Sequence, residues 1–173
     1  MIYTSYYNSP VGKLLLASKN NKLIGVWIEN QKYYLSNLKE KMQIKDDEEI
    51  LIKTKNWLDR YFENKNPHIS ELDIEPIGTD FSKKVWTILC TIPYGKVITY
   101  GEIAKKISKA MNKDKMSAQA VGNAVAHNPI SIIIPCHRVI GANGNLTGYA
   151  GGLDIKMRLL KHEGVDISKL FIP

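Results

Sequence analysis

Residues 99–129, TYGEIAKKISKAMNKDKMSAQAVGNAVAHNP, contain two short helical patterns, each with its own start and stop signals. Thr99, followed three residues later by Glu102, has the form of a capping box. Tyr100, Ile103, Ala104 and Ile107 then recur on one helical face. Residues 109–115 form a polar, lysine-rich connection. Ser117 can cap a second helix with Ala118, Val121, Gly122 and Val125 turned inward, and Asn128-Pro129 ends it. Two short helices in a basic region suggest a helix-turn-helix. An ordinary helical pair is the competing reading, and the pattern alone favours it. The outward face of the second helix would carry Gln119, Ala120, Asn123, Ala124 and His127. That face is small and uncharged. It suits a close approach to a sugar-phosphate backbone but lacks the cations of a strong base reader.

Immediately downstream, an apolar run, Ile132-Ile133-Ile134, is stopped by Pro135 and followed by Cys136, His137 and Arg138. A thiol is a good nucleophile only as a thiolate, and a neighbouring imidazole or cation favours that form. A buried structural cysteine at a strand end is the alternative. Residues 141–152 are rich in glycine and asparagine and make a loop able to approach a ligand closely, with Tyr149 as an aromatic wall. A last helix is expected over residues 153–163, with Leu153, Met157 and Leu160 inward and Gly164 as its stop. Glu163 falls in its last turn, where the helix dipole disfavours an anion. Histidine is an obvious partner, and a Cys-His-Glu chain would supply nucleophile, base and orienter. A solvated glutamate at a frayed end is the simpler account of the same residue.

Upstream of the helical pair, Thr79 or Asp80 can cap a helix carrying Phe81, Val85, Ile88, Leu89 and Ile92 on one stripe, ended by Pro93-Tyr94-Gly95. The beginning of the chain reads differently. Residues 2–7, 13–18 and 23–28 are strand-like and separated by turn residues, which predicts a β-meander. A helix over residues 47–62 would present Ile50, Leu51, Thr54, Trp57, Leu58 and Tyr61 on one face. The irregular stretch 71–78 is the expected boundary between an N-terminal α/β domain, 1–77, and a C-terminal domain, 78–173. The fold class is therefore α+β: an N-terminal antiparallel sheet with a helix, then a mostly helical domain containing a helix-turn-helix.

Charge divides at the same place. The whole chain of 173 residues carries a net charge of +7. Residues 1–77 hold 11 Lys/Arg and 11 Asp/Glu, whereas residues 78–173 hold 13 and 6, so the second half carries the whole excess. A one-sided positive field suggests a polyanionic partner, nucleic acid first; a lysine-rich soluble surface is the plainer account. The two cysteines, Cys90 and Cys136, make neither a zinc-ligand spacing nor a disulfide framework. With no leader-like start and no long apolar stretch, a cytoplasmic protein is expected; a monomer is expected as well.

Together these motifs resemble the methylated-DNA–protein-cysteine methyltransferases, the O6-alkylguanine-DNA alkyltransferases. The resemblance spans residues 79–173. It rests on Ile134-Pro135-Cys136-His137-Arg138-Val139, supported in order by Pro93-Tyr94-Gly95, Val121-Gly122, Asn128-Pro129, Gly148-Tyr149-Ala150-Gly151-Gly152 and His162-Glu163-Gly164. The N-terminal half is similar to that family in outline only.

The resemblance implies a suicide transfer of the alkyl group of O6-alkylguanine in double-stranded DNA to Cys136, with O4-alkylthymine as a second candidate substrate. His137 would deprotonate Cys136 through a water, Glu163 would orient His137, and Asn128 would brace the site. Tyr100 would give a proton to the leaving guanine. Tyr149, Val139, Ala150 and Gly151 would line the base pocket. Gln119, Ala120, Asn123, Ala124 and Arg138 would meet DNA in the minor groove, with the target base flipped out. Gln119 stands where many members carry an arginine that fills the gap left by that base. No cofactor is implied. Zinc is not expected either, because residues 1–77 contain no cysteine and only His68. The rival readings are a binding-only relative, a cysteine hydrolase and a transcription factor. The presence of Cys136 argues against the first.

Overall fold

The computed structural model describes residues 1–36 and 38–173. The chain divides into two compact units, Met1–Ile77 with Pro129–Ile133, and Gly78–Asn128 with Ile134–Pro173.

In the first unit, β1 (Ile2–Ser9), β2 (Gly12–Lys19) and β3 (Lys22–Ile28) form the antiparallel meander. Asn20 and Asn21 both take left-handed φ values, 51° and 57°. Asparagine tolerates that conformation, and the two-residue hairpin turn demands it. The sequence reading missed a fourth strand, β4 (Met42–Ile44), which pairs parallel to β1 and completes the order β3-β2-β1-β4. The sheet is thus antiparallel with one parallel edge.

Residues 14–18 of β2 are all buried, so this strand is covered on both faces. That explains its unbroken apolar run, where a half-exposed strand would alternate. On one face Ile2, Leu15, Ala17, Ile24 and Trp27 form a cluster with Leu35, Leu38 and Met42. Helix α1 (Glu49–Phe62) packs on the sheet and buries the whole predicted face, Ile50, Leu51, Thr54, Trp57, Leu58 and Tyr61.

The segment Pro129–Ile133 joins this unit through Val26, whose N–H donates to the Pro129 carbonyl at 2.9 Å and whose carbonyl accepts from Ser131 N–H at 2.9 Å. Ile132 and Ile133 lie in a turn and Ile134 in a bend, not in a strand. Ile132 has φ +72°, a left-handed conformation that costs a β-branched residue about 1–2 kcal/mol.

In the second unit, α2 (Asp80–Leu89), α3 (Tyr100–Ala110) and α4 (Ala118–Ala126) pack against one another. Thr79 caps α2, Ser117 caps α4, and both halves of the Thr99–Glu102 capping box are present. The turn between α3 and α4 spans residues 111–117, longer than the three or four residues of a minimal helix-turn-helix. Two-residue strands β5 (Ile98–Thr99) and β6 (Val139–Ile140) pair in parallel, which ties the start of α3 to the chain just after Cys136. Helix α5 (Leu153–His162) closes the unit. No helix among the described residues is long and apolar enough to cross a membrane.

Two helix phases differ from expectation. Helix α4 buries Val121, Ala124 and Val125, whereas Ala118 is exposed. The missed anchor is Trp86, 2 % exposed, whose indole N–H donates to the Ala124 carbonyl at 2.9 Å. This turns Ala124 into the core and removes it from the expected DNA-facing set. Helix α5 buries Lys156, Leu159 and Leu160, with Leu153 and Met157 half-buried.

Candidate active site

Pro135 is followed by a single 3-10 turn, Cys136–Arg138, whose three side chains are all buried. The turn is held by Cys136 N–H on the Ile134 carbonyl, 2.8 Å, and Arg138 N–H on the Pro135 carbonyl, 3.0 Å. Asn128, 4 % exposed, braces it by donating Nδ2 to the same Ile134 carbonyl at 2.8 Å.

Glu163, at the C-terminal end of α5, is where the charges converge. Its Oε2 lies 2.6 Å from His137 Nε2 and 3.1 Å from Arg138 Nη2. Its Oε1 accepts from Arg138 Nε at 2.7 Å and from Gly95 N–H at 3.1 Å. Gly95 has φ +75°, and a Cβ there would sit 2.9 Å from the Glu163 carbonyl oxygen. The Pro93-Tyr94-Gly95 turn therefore needs glycine both for its conformation and for this close approach. Arg138 also donates Nη1 to the Ile92 carbonyl, 2.7 Å, and its guanidinium lies 5.7 Å from the Tyr94 ring centre. Arg138 is thus committed inside the protein, 9 % exposed, and its expected place among DNA-facing residues is corrected. A buried guanidinium needs a carboxylate, and a bidentate pair with Glu163 is the strongest available.

These contacts fix protonation. Burial would raise the Glu163 carboxyl, but the hydrogen bonds and charges of His137 and Arg138 hold it well below the usual carboxylate range. An ionised carboxylate only accepts, so His137 presents Nε2–H to it. Burial lowers the imidazole below its ordinary value against the pull of Glu163, which leaves the ring neutral. Nδ1 is then a bare acceptor, and it is buried with no partner. Burial also raises the Cys136 thiol, opposed by a hydrogen bond from Asn128 and the charge of Lys156. The resting site is a protonated thiol beside a neutral base, not a preformed thiolate.

The loop after Cys136 supplies the other wall. Tyr100 donates its hydroxyl to the carbonyls of Thr147, 3.1 Å, and Gly148, 3.2 Å. Gly148 has φ +64°, and a Cβ there would lie 3.2 Å from the Tyr100 oxygen. A cleft of about 610 Å³ is lined by Tyr100, Ala118, Gln119, Gly122, Asn123, Thr147 and Gly148. Tyr100, Gln119 and Asn123 are therefore brought together, with Ala120 half-buried on the same helix. Tyr149 and Val139 are buried and do not line this cleft, nor do Ala150 and Gly151. The Tyr149 hydroxyl is buried without a partner. The sequence reading missed Lys156 altogether. It is 0 % exposed and donates to the carbonyls of Val139, Thr147 and Gly148. Among the described residues, no cluster of three or more His, Cys, Asp or Glu side chains is arranged to hold a metal ion.

The sequence matches two family models that divide it nearly end to end. Residues 2–76 match the ribonuclease-like domain of 6-O-methylguanine DNA methyltransferase, and residues 80–165 match its DNA-binding domain. The chain belongs to the methylated-DNA–protein-cysteine methyltransferase family, whose Methanosarcina acetivorans member is 42% identical over 94% of this chain and 99% of its own length. The Haemophilus influenzae protein of the same name is 37% identical over 95% of this chain and 87% of its own. Among solved structures, the Mycobacterium tuberculosis O6-methylguanine methyltransferase has a TM-score of 0.78 at 37% identity, covering 99% of this chain and 96% of that one. The M. tuberculosis protein crystallised in complex with DNA has a TM-score of 0.79 at 36% identity, covering 98% and 94%.

Proposed function

We propose that this protein repairs DNA by direct reversal, moving the alkyl group from O6 of guanine to the sulfur of Cys136 once, without turnover. The carrying observation is that Cys136, His137 and Glu163 are all buried, with His137 hydrogen-bonded to Glu163, in a unit that matches the family's DNA-binding domain. The Cys136 proton passes through a water to Nδ1 of His137. The thiolate then forms a carbon–sulfur bond as the bond from carbon to O6 breaks. The electron pair stays on guanine, and Tyr100 gives the ring its proton. The Tyr100 hydroxyl first has to leave the loop carbonyls it now bonds. The imidazolium left on His137 is stabilised by Glu163. A thioether is inert, so the protein ends alkylated.

Chemistry on a stacked base requires its extrusion. A two-helix element with a small, uncharged outer face suits a shallow minor-groove contact that need not read sequence, and scattered lysines supply salt-dependent affinity. This role falls to Gln119, Ala120 and Asn123 on α4. The C-terminal unit would act on DNA as a monomer in the cytoplasm.

The test is mass. Incubation with duplex DNA carrying O6-methylguanine should add one methyl group to the intact protein, mapped to Cys136, and Cys136→Ser should add none. Unchanged mass with tight binding would overturn transfer in favour of recognition alone.

Gln119 is exposed at the cleft and brings no charge. Gln119→Arg is expected to tighten binding to alkylated duplex severalfold and to steepen its salt dependence by about one counterion. Equal affinities across a salt series would reject a limiting role for the missing charge.

A further inference from the structure

Lys156 is a buried cation without a buried anion. It is 0 % exposed, and among the described residues no carboxylate lies within ion-pair distance of it. Its ammonium meets only three carbonyls, those of Val139, Thr147 at 3.1 Å and Gly148 at 3.4 Å. Burying a charge in this way is expensive, and carbonyl dipoles compensate it only in part. A leucine or methionine would fill the same space on α5 at lower cost.

We infer that Lys156 is a positioning residue for the proposed transfer: its missing counter-charge is the Cys136 thiolate, and the same ammonium holds the loop that faces Tyr100. This rests on the reading of Cys136 as the alkyl acceptor. Helix α5 packs against the Cys136–Arg138 turn, and the Lys156 ammonium reaches the carbonyl of Val139, the residue that follows this turn. The other charged or titratable groups around the thiol are otherwise engaged. Arg138 is paired with Glu163, His137 is neutral and bonded to Glu163, and the hydroxyls of Tyr100 and Tyr149 rest protonated. Lys156 is the unpaired positive charge left to receive the anion. Burial lowers it to about 8, and Cys136 is the group that draws it back up. Burial likewise raises the thiol, and Lys156 opposes that rise.

The carbonyls give the second half of the role. Thr147 and Gly148 each accept from both Lys156 and Tyr100. When the Tyr100 hydroxyl turns away to protonate the leaving base, Lys156 keeps both carbonyls satisfied and the loop in place. Methylation then leaves no group at Cys136 that can ionise opposite the ammonium.

The experiment uses the full chain carrying Cys90→Ser, so that Cys136 is the one thiol. Its thiolate is titrated by ultraviolet absorbance in the parent, Lys156→Met, Lys156→Gln and Lys156→Arg. The neutral variants should move the titration up by about one pH unit. They should slow methyl transfer about tenfold near pH 7, with the gap closing as alkali forms the thiolate unaided. Arg should stay near the parent. A folded neutral variant with an unmoved thiolate titration overturns the inference, as does a transfer deficit of equal size at every pH. Should neither neutral variant fold, the parent decides through the carbon resonances of labelled lysine. Lys156 should lose its proton at lower pH once Cys136 carries a methyl group (added by a chemical methylating agent if DNA does not supply it), and an unmoved midpoint overturns the idea. The thiolate titration needs no DNA substrate, so it stands even where the proposed transfer fails.

Discussion

Glu163→Ala is expected to cost the folded protein about 3–5 kcal/mol, the range for breaking a buried ion pair by removing one partner. Against a typical total of about 5–15 kcal/mol, that is enough to lower the urea midpoint severely. The carboxylate satisfies Arg138 twice, His137 once and the Gly95 N–H once. Removing it leaves a buried guanidinium with the Ile92 carbonyl as its remaining strong partner. Glu163→Gln keeps the shape but turns an amide N–H₂ toward groups that are themselves donors, so it should lose less stability and nearly as much transfer.

The pH dependence follows from the depressed Glu163 carboxyl. A carboxyl lowered on folding contributes its stabilisation above its unfolded value, near 4.3. That contribution fades as pH falls below this value toward the folded one. The parent's advantage over Glu163→Gln should therefore be full at neutral pH and shrink progressively below about pH 4.3. Denaturation midpoints of the two proteins measured across that range check the sign. An advantage that grows in acid would mean the carboxyl is not held ionised by its partners.

What was legible in the sequence were features set by local chemistry. The α1 face follows from helical spacing alone, because Ile50, Leu51, Thr54, Trp57, Leu58 and Tyr61 need only the period to be grouped. The Thr99–Glu102 capping box and the Ser117 cap are short-range hydrogen bonds between neighbours in the chain. The Cys136 motif was visible for a similar reason, since its chemistry is packed into consecutive residues.

What escaped depends on partners distant in sequence. Strand β4 is three residues long and gains its identity by lying beside β1, about forty positions away. Ile132-Ile133-Ile134 has strand-like composition, yet its course follows from the pairing of the preceding Pro129 and Ser131 with Val26 and from a left-handed Ile132. The phase of α4 was misjudged because Ala118, Ala120 and Ala124 are indistinguishable by hydrophobicity; the indole of Trp86, 38 residues upstream of Ala124, decides between them. Arg138 was assigned to the DNA face and Lys156 went unremarked, in keeping with the expectation that long cations face water. Both violate it at the thiol site, where a buried charge has chemistry to do.

His137→Gln is expected to separate structure from chemistry at this site. The glutamine amide can still donate to Glu163, so the buried carboxylate keeps a partner and the fold should survive with a modest loss of stability. The amide nitrogen and oxygen cannot take a proton near neutral pH, so the relay from Cys136 is gone. Loss of a general base typically costs about 10²–10⁴ in rate. Burial makes the loss more severe than it would be for an exposed thiol, because the Cys136 thiol is raised and ionises little unaided. In the parent, the imidazole is lowered and stays unprotonated below its ordinary value of about 6.5. Single-turnover transfer from O6-methylguanine duplex should therefore persist into mildly acidic buffer and fall only as pH drops through that lowered value. In His137→Gln the rate should instead climb about tenfold per pH unit until the thiol itself titrates, because hydroxide and solvent then do the work of the base. Equal pH profiles for the two proteins would mean that His137 is a spacer for Glu163 and that the thiol loses its proton by another route.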